Sequence, residues 1–110
     1  MDKEMMKGSI DLLLLSLISQ QDLYGYEMVK RLKQLSEEAY SMGEGTLYPA
    51  LKRMEKKEWI SSYWKETDSG RRKYYRMTDD GEKELARKKK DWAFLQSLVQ
   101  RTDSGASHEP

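Results

Sequence analysis

"ISSYWKETDSGRRKYYRMT" spans residues 60–78. Its two ends, 60–66 and 72–78, are rich in aromatic side chains, which suit a pleated, half-buried surface. Between them lies TDSGR (67–71), a cluster of turn formers. The stretch predicts a β-hairpin. Period-two alternation puts Lys73, Tyr75 and Met77 on one face and Arg72, Tyr74 and Arg76 on the other. The face with Met77 suits a core. Arg71 and Arg72 fall at or beside the tip, where their charges would be presented outward.

Helical periodicity surrounds this hairpin. In TLYPALKRMEKKEWI (46–60), Leu47, Leu51 and Met54 share one face. Pro49 lacks an amide hydrogen and is tolerated only near a helix start, which predicts an N-terminus at Gly45–Thr46. The opposite side carries Thr46, Pro49, Lys52, Arg53 and Lys56, with Tyr48 at its margin. Upstream, QQDLYGYEMVKRLKQLSEE (20–38) predicts another helix. Asp22 is its candidate N-cap, and Met28, Leu32 and Leu35 form its buried stripe beside Val29. Gly25 costs helix propensity, which predicts close approach by another backbone. AYSMGEG (39–45) connects the two helices.

The chain ends bear on assembly. A first helix is predicted over about residues 4–20 from Met6, Ile10, Leu13, Leu14 and Leu17. Leu12, Leu15 and Ile18 make its other faces apolar, so it needs cover on more than one side. A partner subunit taking Leu12 and Leu15 is one solution, and a central core helix in a monomer is the other. Residues 78–100 predict a long last helix. Thr78 or Asp79 caps it, and Asp79, Asp80 and Glu82 suit the positive end of its dipole. Leu85, Trp92 and Val99 recur at intervals of seven, Leu95 adds a position between them, and Lys88 interrupts the seam. So small a domain leaves little for this stripe to pack on, and a second copy is the natural recipient. RTDSGASHEP (101–110) predicts a disordered tail.

Composition narrows the chemistry. The chain has 110 residues, formal net charge +1, no cysteine and one histidine, His108. Disulfides, thiolate zinc sites and cysteine nucleophiles are excluded, and a histidine in the tail is no credible catalyst. No catalytic, metal or cofactor site is expected. Charge is clustered rather than global: Lys52, Arg53, Lys56 and Lys57 form one basic group, and Arg71, Arg72, Lys73 and Arg76 another. The apolar run IDLLLLSLI (10–18) is far shorter than the ~20 residues that span a bilayer. A soluble cytoplasmic protein with no membrane partner is predicted.

The order helix, helix, turn, helix, hairpin, helix is that of a winged helix-turn-helix. The fold class is mainly α with a small β-hairpin: residues 1–78 form the winged domain and 79–100 a dimerisation helix. In such folds the second helix of the pair enters the major groove of double-stranded DNA, and wing cations reach phosphates. Two other readings stay open: solvated basic faces, and a winged module that contacts protein.

LYGYEM (23–28), GTLYPALKRMEKKEWI (45–60), GRRKYYRMT (70–78) and the DDGEKEL that follows resemble the PadR-like transcriptional regulators, in particular the short subfamily with one C-terminal helix. The resemblance covers about residues 5–100. It implies a homodimeric repressor that binds a palindromic operator. The carried-over DNA-binding positions are Tyr26 in the second helix, Thr46, Tyr48, Pro49 and Lys52 in the third, and Gly70, Arg71 and Arg72 in the wing. Arg53 joins them through the basic face. Tyr26 and Tyr48 suit the core edge equally well. The family often has glycine where this chain has Glu58, so the third helix is expected to run further or end differently. Trp92 matches a tryptophan that stacks on planar drugs in a multidrug-responsive member. This implies a hydrophobic or planar small-molecule effector, with simple filling of the dimer interface as the alternative. A drug-sequestering dimer with little operator specificity is the remaining competitor.

Overall fold

The computed structural model describes residues 3–108. Its elements are α1 (Lys3–Lys7), α2 (Ile10–Gln20), β1 (Leu23–Tyr24), α3 (Gly25–Leu35), α4 (Glu44–Lys56), β2 (Ile60–Thr67), β3 (Gly70–Met77) and α5 (Asp79–His108). Helices dominate. The strands form one antiparallel sheet in the order β1-β3-β2.

The wing forms as its alternation requires. β2 and β3 pair from Ile60↔Met77 to Thr67↔Gly70, so the turn is only Asp68–Ser69. Gly70 closes it at φ 106°, a conformation glycine adopts without a steric penalty. The Thr67 hydroxyl accepts from the Ser69 amide and donates to the Gly70 carbonyl. Tyr75 is buried, on the face expected to pack inward.

The sheet has a third strand that the hairpin alone does not predict. Leu23 and Tyr24 pair with Tyr75 and Tyr74. The second helix therefore begins at Gly25 rather than near Gln20, and Asp22 does not cap it. The Asp22 carboxylate instead accepts from the Tyr63 hydroxyl at 2.6 Å and from Arg76 Nε at 3.4 Å. The cap is supplied by Glu27, whose side chain accepts from the Tyr24 amide at 3.2 Å. The first helix is also divided: Gly8 and Ser9 turn the chain, with the Ser9 amide bonded to the Met6 carbonyl.

Leu14, Leu15, Ile18, Leu23, Met28, Leu47, Leu51, Met54 and Ile60 are fully buried and join all the layers. Each such side chain contributes about 1.5–3 kcal/mol relative to exposure. Leu35, expected in the α3 stripe, is instead exposed, because α3 ends there and turns away through Glu37 and Glu38, at φ 52° and 70°. Leu15 and Leu85 also depart from expectation. Both lie inside the protomer's own core, at 0% and 3% exposure, so neither is available to a partner.

Pro49 sits in the second turn of α4, further in than expected, since Gly43 is the N-cap. It therefore leaves the Gly45 carbonyl without an intrahelical amide. The helix nevertheless ends where a glycine would end it. Glu58 takes φ 62°, its amide bonds to Glu55, and the Trp59 amide bonds to Met54. This pair of bonds is a Schellman motif built on a left-handed glutamate. α5 continues to His108, so residues 101–108 are helical rather than a disordered tail; 109–110 lie outside the described residues.

Candidate nucleic-acid interface

α4 is held by Leu47, Ala50, Leu51 and Met54, which are buried. Their spacing leaves Thr46, Tyr48, Pro49, Lys52 and Arg53 exposed on the other side. Among the described residues, Lys52 makes no ion pair. Arg53 is less free, because its guanidinium bonds to the Asp11 carboxylate of α2. Tyr26, near the start of α3, is also exposed. The Tyr48 ring lies over Gly25, where a β-carbon would come within 2.7 Å of the Tyr48 hydroxyl. Gly25 thus admits a side chain, not the backbone that its position suggested.

The wing cations divide between the two sheet faces. Arg71 is exposed and lies over Trp64, 4.9 Å from the ring centroid. Arg72 is half-buried and lies 5.4 Å from the Tyr24 ring. The expectation that both arginines extend from the tip therefore holds for Arg71 alone. Pairing with β2 already begins at Gly70, so the two residues point to opposite sides. On the Arg72 face, Tyr74 stacks on Tyr63 and meets Tyr24 edge-on. Lys65 and Arg76 cover the rings of Tyr74 and Tyr63. The hydrogen bond to Asp22 raises the Tyr63 hydroxyl above its ordinary pKa, and burial raises Tyr75.

A cleft of about 500 Å³ opens between the wing and the starts of α3 and α4. It gathers Tyr26, Tyr48, Arg71 and Arg72 from the candidate positions, together with Tyr24, Trp64 and Lys73. Thr46, Pro49, Lys52 and Gly70 lie outside its lining. Trp64 is the residue that the sequence reading missed. Its pairing with Lys73, and so its place on the Arg71 face, follows from the two-residue turn rather than from alternation alone.

The far end of the molecule is apolar. Trp92, Phe94, Leu95, Leu98 and Val99 of α5 are all exposed. Trp92, Leu12 and Leu95 line a groove of about 270 Å³ beside the Gly8–Ser9 turn. Phe94 and Leu98 were not anticipated, because they lie off the seven-residue repeat. Among the described residues, no cluster of acidic or histidine side chains could hold a metal, and no helix is long and apolar enough to cross a membrane.

Comparison with known proteins agrees with this architecture. A transcriptional regulator from Clostridium thermocellum superposes with a TM-score of 0.83 at 34% identity, covering 90% of this chain and 97% of that one. A PadR family transcription regulator from Clostridium difficile R20291 is 41% identical with a TM-score of 0.74, covering 86% and 97%. An uncharacterised protein, X, of Lysinibacillus sphaericus is 35% identical over 97 residues, 87% of this chain and 89% of that one. The transcriptional regulator PadR-like family matches residues 14–87, and the chain belongs to that family of DNA-binding regulators.

Proposed function

We propose that the protein is a cytoplasmic homodimeric repressor that binds a palindromic operator. Each protomer places α4 in a major groove and its wing along the flanking backbone. Thr46, Tyr48, Pro49 and Lys52 face the bases or adjacent phosphates, and Gly70, Arg71 and Arg72 serve the wing. The observation that carries this reading is the one cleft that Tyr48 of α4, Tyr26 of α3 and the Arg71 side of the wing line together, beside the exposed face of α4. Two-fold symmetry sets half-sites about one helical turn apart.

The exposed apolar side chains of α5 support dimerisation, since a contiguous apolar surface of this kind needs cover. Trp92, Leu95 and Val99 lie within one helical face, with Leu12 of α2 beside them across the groove. The same groove supports a planar, hydrophobic effector stacked on Trp92, because an aromatic face attracts flat and cationic rings. Duplex binding measured against salt tests the reading. Phosphate neutralisation makes affinity fall steeply with salt, and binding that ignores salt would remove DNA as the partner.

A further inference from the structure

Asp11 is the one charged residue in the apolar run 10–18, and its side chain is only 19% exposed. Its carboxylate accepts from the Arg53 guanidinium, which joins the first turn of α2 to the last turn of α4. The place suits it, because the first turn of a helix favours a negative charge. Across α4, Glu55 makes a matching connection to the wing. It accepts from the Ser62 hydroxyl at 2.5 Å and lies 3.8 Å from Lys73 Nζ. At 3.6 residues per turn, Arg53 and Glu55 stand about 160° apart around the outer side of α4. Tyr48, Pro49, Lys52 and Lys56 fall within that arc and are exposed, while the buried Ala50, Leu51 and Met54 fill the other. Among the described residues, Lys52 and Lys56 make no ion pair, whereas Arg53, at the edge of the same face, does.

Resting on the DNA-binding reading above, we infer that Asp11 is a positioning residue for operator specificity: it holds Arg53 back from the phosphates and, with Glu55 on the opposite flank, fixes the rotation of α4 about its axis. A cation that reaches a phosphate adds affinity on every sequence and carries no base information. Pairing that cation inside the protomer removes a contribution common to all sequences. Fixing the rotation of α4 helps only the sequence whose base edges match Tyr48 and Lys52. Both effects raise operator binding relative to random binding. Folding gains little from an ion pair with so exposed an arginine, so a purely structural role would leave specificity untouched.

The test uses the full-length protein, the operator duplex recovered by selection from a random pool, and a random-sequence duplex of the same length. Asp11→Asn is expected to steepen the salt slope on random duplex by about one unit and to strengthen that binding about fivefold at about 0.15 M salt. Operator binding should gain less, so the ratio of operator to random affinity falls, while the urea midpoint barely moves. Adding Arg53→Gln to Asp11→Asn should return the slope to that of the unsubstituted protein. Glu38→Gln removes a carboxylate from the Lys33 ion pair, away from α4, and should leave the slope unchanged. An Asp11→Asn protein with unaltered slope and ratio would overturn the inference and leave the DNA reading standing. So would a double variant with a slope below that of the unsubstituted protein, since Arg53 would then already be on a phosphate, and so would an equal steepening in Glu38→Gln. Absence of salt-dependent binding by the unsubstituted protein would overturn both.

Discussion

The backbone of Gly81 rests against the carbonyl oxygen of Trp59, so closely that a β-carbon on Gly81 would overlap that oxygen. The same carbonyl accepts from the Thr78 amide at 3.1 Å, and the Thr78 hydroxyl donates to the Glu58 carbonyl at 2.6 Å. The Gly81 amide in turn donates to the Thr78 hydroxyl at 3.0 Å. The end of α4, the start of the wing and the start of α5 therefore meet at one joint with no slack.

Gly81→Ala should force that joint apart. Overpacking against backbone typically costs about 1–3 kcal/mol. The unfolding free energy from urea titration is expected to fall by that amount, lowering the midpoint, and duplex affinity should fall with it because the wing shifts relative to α4. A variant with an unchanged midpoint would show that the joint yields freely.

Glu58→Gly should act in the opposite direction. A left-handed non-glycine residue costs roughly 1–2 kcal/mol, and the added freedom of glycine in the unfolded chain returns about 0.5–1. A net stabilisation of about 0.5–1 kcal/mol is expected in thermal or urea unfolding. Destabilisation would mean that Glu58 is not held at positive φ.

Glu84 supplies a pH test. Hydrogen bonds from Arg87, and then from Lys88, hold its carboxyl below the usual carboxylate range. A depressed folded pKa gives stability that is complete above the unfolded value and is lost as pH falls through the folded one. Glu84→Gln should therefore reduce the fall in urea midpoint on acidification through the carboxylate range. Parallel curves for the two proteins would remove Glu84 from the acid response.

Trp92 is the test of the effector. Planar cationic dyes are expected to quench tryptophan emission, and Trp92→Ala should abolish the quenching while the same loss at Trp59 or Trp64 should not. Half-exposed Trp92 and its groove make this a contact at the surface of α5. Quenching that survives Trp92→Ala would move the ligand elsewhere.

Much of this architecture was legible in the sequence because it repeats. Tyr75 and Met77 marked the inner face of the wing through alternation, and Leu47, Leu51 and Met54 marked the buried side of α4. What escaped has no period. β1 is two residues long, and only its pairing partners at Tyr74 and Tyr75 define it. Asp22 looked like a cap because its bonds to Tyr63 and Arg76 span 41 and 54 positions. Leu15 and Leu85 were assigned to a partner because an apolar residue does not announce which surface covers it. Residues 101–108 have the composition of a tail, yet they continue an established helix, where adding a residue costs less than nucleation. In the candidate interface, the α4 positions were legible as the side left over by the core. The separation of Arg71 from Arg72 depended on where strand pairing begins.

Two copies of α4 and of the wing should read a symmetric operator, and selection of bound sequences from a random duplex pool measures this. A palindrome with half-sites about one helical turn apart should be recovered, and that enrichment should be lost in Lys52→Ala and Tyr48→Ala proteins that still bind random duplex. Recovery of no common sequence, or of one without two-fold symmetry, would rule out symmetric reading by α4.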